Sequence, residues 1–548
     1  MPKTSKLSFE ERKKGRMYAN ADEWQGKLAG ALVMLVMCAQ PLFVDWYGYI
    51  NLTGHKFVFF VTYMVCILVG VVTIWIYRIT RTPRLLPRDM PTIVDWAVIV
   101  FAAVTLISAI FSPFRHETNV WTGIPEPEGR YDGAITQLLY VTIYFIVSRW
   151  YSPKTRHFTI VGISTVIIAL IGILQFYGMD FLGLWPNYDP NYRVPNFYNI
   201  YFRSTLGNVN IVSTYVCVAI LLCGFLFIRY TPPPVAAGGR KSLKSFRQPL
   251  WLAASALCFW LMDLAGSDSG LVGVAVTFFL AMPFIIENRR VLGRALILAA
   301  SWLAVFILQR LFYEVLILDA RTFESLLSII AAVVLLLAAG VFLTKWGKDP
   351  DEAPDGTDTP VKWKLGVILI IACIVAGLLG VEILGRRELG AGFAGRLISE
   401  AREVLHGNLR DEMGSGRIHI WKNALKAFPN HPIIGSGPDT FRQAFPEEAQ
   451  GFMNAGYDKA HNEYLQILVC QGILGLLSYL VFLAGVLIKS VSKAFRNPLV
   501  MAVLAAFVGY CVQAVFNISL PIASQMLWVF AGLLACNKFR DTPFQELV

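Results

Sequence analysis

A chain of 548 residues could form about three or four soluble domains, yet 56% of it is hydrophobic, only 16% is charged and its mean hydropathy is +0.55. That composition belongs to membrane proteins and excludes a soluble multidomain chain. The formal charge of +11 invites a nucleic-acid partner, but the basic residues collect in particular loops, where they mark topology, and no nucleic-acid partner is expected.

In chain order, residues 1–27 are polar and basic and read as a cytoplasmic N-terminus, with no removable signal peptide because the first apolar run is long enough to stay as a helix. Apolar runs of about 17–25 residues, the length that crosses a hydrocarbon core of ~30 Å, follow at 28–44, 57–77, 93–111, 134–150, 158–177, 211–229, 250–266, 270–286, 295–312, 325–344 and 365–384. Three more lie at 462–488, 499–515 and 519–536. The expected fold is therefore all-α, a polytopic integral membrane protein of about 14 transmembrane helices: a bundle over 28–384, an extracytoplasmic helical loop over 385–461, and a last group of helices with a tail over 462–548. An even number of spans puts both termini on one side. The larger share of the 48 Lys and Arg falls in loops on the N-terminal side, so both termini are read as cytoplasmic. The 9 cysteines lie in or at the ends of apolar helices, which indicates neither a disulfide framework nor a Cys-ligated metal site.

The loops differ in character. On the cytoplasmic side, TPPPVAAGGRKSLKSFRQ and the acidic KDPDEAPDGTDT read as disordered linkers. On the outer side lie 112–133, the aromatic-rich 178–210, the tight GSDSG hairpin at 266–270 and the long 385–461 loop. Trp185, Tyr188, Tyr192, Phe197, Tyr198, Tyr201 and Phe202 crowd the second of these. They suit either an interfacial aromatic belt or stacking faces for sugars. The fourth loop is too long for a mere connection. Phe393, Leu397, Ala401 and Val404 share one helical face, and Arg396 and Glu400 can pair at i, i+4. Two or three helices on the outer membrane surface are expected there.

Within that loop, GSGRIHIWKNALKAFPNHPIIGSGPDTFRQAF predicts an amphipathic helix with Ile418, Trp421, Leu425 and Phe428 on one side, stopped by Pro429. Both Gly-Ser-Gly triplets, at 414–416 and 435–437, sit before a helix start, where free N–H groups and a positive dipole end suit an anion. Arg417 stands beside the first, a good seat for a phosphate or carboxylate. His461 and Asn462 fall at the mouth of the next apolar helix. His461 is a candidate general base, because imidazole titrates near working pH, or a helix-capping residue. Asn462 reads as a cap, with a place at the substrate as its second role.

This arrangement, an Arg before a Trp (Arg417, Trp421), a Gly-x-Gly after a Pro, and a His-Asn pair leading into GILGLL, resembles the O-antigen ligase and polymerase family of bacterial membrane glycosyltransferases. The resemblance implies a GT-C-like fold and transfer of a glycan from an undecaprenyl-diphosphate carrier to an acceptor, whether a glycan, lipid, wall polymer or protein. The site would lie on the outer side of the cytoplasmic membrane, among membrane lipids. It further implies His461 as catalytic base and Arg417 as diphosphate clamp, with Arg203 and Asn210 in YFRSTLGNVN and Arg130 in EGRYDG as substrate contacts. Where the ligases carry an arginine in the short hairpin, this chain has Asp268, which would repel a diphosphate, so that Arg203 or Arg130 supplies the charge or Asp268 meets the acceptor.

The first external loop holds a single acid, Asp45, so no catalytic metal is expected, and no phosphate-loop pattern calls for a nucleotide or other cofactor. A peptidoglycan polymerase would rely on an Asp where this chain offers a His. A lipid or solute transporter would carry ionisable groups at mid-membrane, whereas Asp95, Asp263 and Glu382 lie near helix ends.

Overall fold

A computed structural model describes residues 9–81, 90–126, 129–186, 202–230, 243–266, 268–286, 288–314, 320–346, 363–385, 393–454 and 456–542. The acidic linker, most of the Pro-rich one and the aromatic residues from Tyr188 to Tyr201 lie outside the described residues. The helices are α1 (Phe9–Met34), α2 (Leu52–Arg81), α3 (Ile93–Ile110), α4 (Ala134–Trp150), α5 (Thr155–Phe176), α6 (Val209–Arg229), α7 (Leu243–Ala265), α8 (Asp268–Leu280), α9 (Arg289–Glu314), α10 (Ala320–Trp346) and α11 (Trp363–Leu384). After them come α12 (Phe393–Leu405), α13 (Arg417–Ala427), α14 (Glu463–Ala494), α15 (Pro498–Gln513) and α16 (Gln525–Ala535). A two-residue antiparallel pair, β1 (Phe202–Arg203) and β2 (Gly207–Asn208), precedes α6.

Among the described residues, 10 helices are long and apolar enough to cross a membrane, and α4, α8, α15 and α16 are shorter. With 11 residues, α16 covers only about 16 Å at the helical rise. It begins six residues later than expected; the segment before it holds Pro521, and Asn517, whose side-chain amide donates to Asn210 O (2.8 Å) and Thr214 Oγ1 (2.9 Å). The run 270–286 is likewise split, into α8 and Met282–Ile285, with Pro283 in the second piece. At the end of the first span, Pro41 follows a π-helical turn over Leu35–Ala39.

The bundle is organised around α6, whose residues from Ile211 to Ile228 are all buried. A helix apolar on every side needs neighbours on every side, and α7, α8 and α15 supply them. Beside it α14 packs on α3 and α16 on α4, with Phe482 and Trp528 stacked at 4.9 Å between ring centroids. The peripheral α10 and α11 leave apolar side chains such as Leu335 and Ile368 exposed, as suits a lipid-facing helix.

Over this end of the bundle lies the long loop, folded as α12, α13 and the short helix Phe441–Ala444. It has a small core of its own, including Ile420, Phe441, Phe445, Tyr457 and Ala460, closed by Val469 of α14. The side chains of Phe393, Arg396 and Leu397 lie outside the described residues, and Glu400 accepts the N–H of Gly414 at 3.2 Å. Arg402 and His406 bind Glu382 (3.4 and 2.9 Å), clasping α12 to the end of α11.

The GILGLL stretch has a specific job. Gly472 breaks α14 with φ 68° and ψ −171°, and the N–H groups of Ile473 and Leu474 turn to Pro432 O (2.9 Å) and Ile433 O (3.3 Å). In return Ser436 N and Gly437 N bind Val469 O (3.0 Å) and Cys470 O (2.9 Å). A Cβ on Gly472 would lie 2.3 Å from Ile433 O, and one on Gly435 2.2 Å from the carbonyl carbon of Cys470, so both positions require glycine.

Candidate active site

Three elements meet at the mouth of α14. The first is the His461 turn. Asn462 caps α14, its side-chain oxygen accepting the N–H of Tyr464 (3.0 Å) and Leu465 (3.1 Å). It thereby closes the orphan donors of the first turn. His461, just before it, is held at φ 48°, a left-handed conformation that costs a residue with a Cβ and persists where its surroundings enforce it. The ring is half-buried and makes no hydrogen bond among the described residues. Burial pushes its titration down to about 4, with the positive charges of Arg417 and then Arg130 adding to the effect. The imidazole is thus neutral and able to take a proton.

The second element is α13. Trp421 donates its indole N–H to Ala460 O at 3.1 Å, next to His461, and Arg417 stands one helical turn earlier on the same face. The turn entering α13 is left-handed at Gly414, Ser415 and Gly416, and no side chain caps the helix. Arg417 donates to Gly414 O at 3.1 Å. This first Gly-Ser-Gly therefore does shape a helix start beside Arg417. The second does not: the N–H groups of Ser436 and Gly437 are consumed by the break in α14, so this triplet joins the cap to the bundle and offers no anion seat.

The third element is the loop 112–133, which brings Arg130 close enough for its charge to act on His461. Arg130 pairs with Glu126 and, at 2.6 Å, with Asp458. Residues the sequence reading passed over lie beneath. Lys459, 1% exposed, places Nζ 2.8 Å from Asp439 and 3.2 Å from Asp132. Asp439 Oδ2 also receives the backbone N–H groups of Ile124 (2.9 Å), Arg130 (3.1 Å) and Asp132 (3.2 Å). Burial raises Asp132 to about 7, the Lys459 charge opposing it, while two carboxylates keep Lys459 protonated. Below these charges, Asp132, Asp439, Glu463, Gln466 and Gln471 line a cavity of about 30 Å³. The signal was present in the sequence, since charged residues adjoined the His-Asn pair, but the pairing spans more than 300 residues of chain and has no local pattern.

Residues 322–480 match the model of the O-antigen ligase family. This stretch is thus similar to O-antigen ligases. It includes His461, Arg417 and Asn462 together with the whole cap. No curated protein matches the chain. Arg130, Arg203, Asn210 and Asp268 lie outside the residues that the family model covers.

These four are placed differently. Arg203 sits on the β1–β2 hairpin with its guanidinium 5.8 Å from the ring centroids of Phe176 and Trp185, a cation–π setting, and donates to Phe202 O at 2.9 Å. The hairpin is tied down by Tyr49, whose hydroxyl donates to Ser204 O (2.6 Å), and by Thr205, which donates to Pro41 O (2.7 Å). A small cavity lined by Thr53, Glu126, Arg130, Phe202 and Asn208 connects this hairpin with the Arg130 loop. Asn208 caps α6, its side chain accepting Asn210 N at 2.9 Å, while Asn210 O receives the Asn517 amide. Asp268 opens α8, and its side chain lies outside the described residues. The neighbouring Ser269 and Gly270 dock on Ser213, at 3.3 and 2.9 Å.

If Asn462 acts as a cap, Asn462→Ala should lower stability by about 0.5–2 kcal/mol while affinity for donor stays within twofold. An unchanged melting temperature with weakened donor binding would return Asn462 to the substrate.

Proposed function

We propose that this protein transfers a glycan from an undecaprenyl-diphosphate carrier to an acceptor hydroxyl at the outer face of the bacterial cytoplasmic membrane. The carrying observation is the imidazole of His461, which makes no hydrogen bond among the described residues and is held on a positive-φ turn within reach of the charges of Arg417 and Arg130. In a single displacement the acceptor oxygen attacks the anomeric carbon, the bond from that carbon to the diphosphate oxygen breaks, and configuration inverts. His461 takes the hydroxyl proton and later sheds it to water. Arg417 meets the charge that develops on the departing diphosphate, and Arg203 gives a second anion contact. A seated diphosphate also offsets the field of Arg417 and Arg130 and so makes His461 more basic when the base is needed.

The reading includes a GT-C-like bundle of fourteen spans, cytoplasmic termini, and a metal-independent reaction in which the negative charge on the leaving group is met by arginine. It is supported by the family of residues 322–480 and by the position of the polar cluster at one end of the bundle. A strain lacking the protein should accumulate carrier-linked glycan, read by mass spectrometry of extracted lipids. Carrier pools unchanged from the parent would overturn the assignment. The length distribution of the product then separates ligase, which moves a finished chain, from polymerase, which extends one.

A further inference from the structure

Two consecutive residues just before His461 carry opposite charges, and each is tied to the same foreign loop. Asp458 binds Arg130 at 2.6 Å, and Lys459 lies between Asp132 (3.2 Å) and Asp439 (2.8 Å). Asp439 in turn gathers three N–H groups of residues 124–132 on its second oxygen and is itself held at φ 61°. One carboxylate thus organises the loop, and one ammonium locks the loop to the chain that presents the base. A solvated surface pair would contribute little, but Lys459 and Asp439 are 1% and 0% exposed as side chains. In that setting the loss of one partner leaves the others uncompensated.

We propose that Lys459 is a positioning residue for transfer: through Asp132 and Asp439 it fixes the turn that aims His461 at the acceptor, without touching substrate itself. The inference rests on the reading of His461 as base. A turn with positive φ at a residue bearing a Cβ relaxes once its tethers go. Moving the imidazole by about 1 Å is enough to cost a large factor in rate while leaving the donor site intact. The effect therefore falls on kcat, not on the KM for donor. Asp132 is the milder handle, since without its charge Lys459 keeps Asp439.

The test uses the full-length protein in nanodiscs, with the carrier-linked glycan that accumulates in the deletion strain as donor. Lys459→Met should lower kcat by about 10- to 100-fold with the KM for donor within twofold, and Lys459→Arg, which can still span both carboxylates, should recover most of the rate. Asp132→Asn should show a smaller loss of the same kind and serves where Lys459→Met does not fold. A folded Lys459→Met or Asp132→Asn protein with parental kcat, while His461→Ala is inactive, overturns the positioning role. An active His461→Ala protein overturns instead the assignment of the base.

Discussion

Replacing His461 with alanine is expected to slow glycan transfer by about 10²–10⁴ and to leave binding of the lipid-linked donor nearly unchanged. The separation follows from the geometry. The imidazole makes no hydrogen bond among the described residues, so its removal breaks no internal hydrogen bond, and the cap of α14 belongs to Asn462. The pH profile carries a second signature. With His461 titrating at about 4 in the free protein, the acid limb of kcat/KM should appear near pH 4, with that of kcat at higher pH because the bound diphosphate makes the ring more basic. A folded-state value below the ordinary 6.5 of histidine means the fold favours the neutral ring. The corresponding stability is present above pH 6.5 and is lost as pH falls through 4, so the parent should lose more melting temperature than His461→Ala on acidification. Single-turnover transfer by His461→Ala at the parental rate would end the base assignment.

Arg417 should fail differently. As the group that holds the diphosphate, it contributes to donor binding as well as to rate. Loss of a charge-assisted contact costs about 1.5–3 kcal/mol, or roughly 10- to 100-fold in donor affinity. Arg417→Lys should regain only part, because an ammonium cannot reproduce a planar, two-pronged contact. Removing the positive charge also relaxes the depression of the His461 titration, so Arg417→Ala should shift the acid limb of any residual activity toward higher pH. Donor titration and single-turnover transfer across pH 4–8 read both effects. An Arg417→Ala protein that binds donor with parental affinity and differs only in rate would assign Arg417 to the transition state alone.

The sequence by itself determined what depends on local composition. Apolar runs long enough to span a membrane, the helix that becomes α13, its stop near Pro429 and the cap at Asn462 are written within a few residues of where they act. The face that α13 buries is not, since it is His419, Ile420, Asn423, Ala424 and Ala427 that turn inward while Leu425 of the expected apolar face is exposed. The motif order that carried the family resemblance is also local, and the match over residues 322–480 agrees with it. Tertiary structure decided whatever required distant segments to meet. The two Gly-Ser-Gly triplets look alike in sequence, yet one opens a helix beside Arg417 and the other is threaded into the break at Gly472, because hydrogen bonds to Val469 and Cys470 claim its N–H groups. At the start of α6, Asn208 caps the helix and Asn517 reaches the Asn210 carbonyl from a distant segment. Arg130 read as a substrate contact, and the fold pairs it with Glu126 and Asp458. Lys459, Asp132 and Asp439 carried no pattern at all. Their partnership arises because a buried charge must find its counter-charge wherever the packing of the chain brings one within reach.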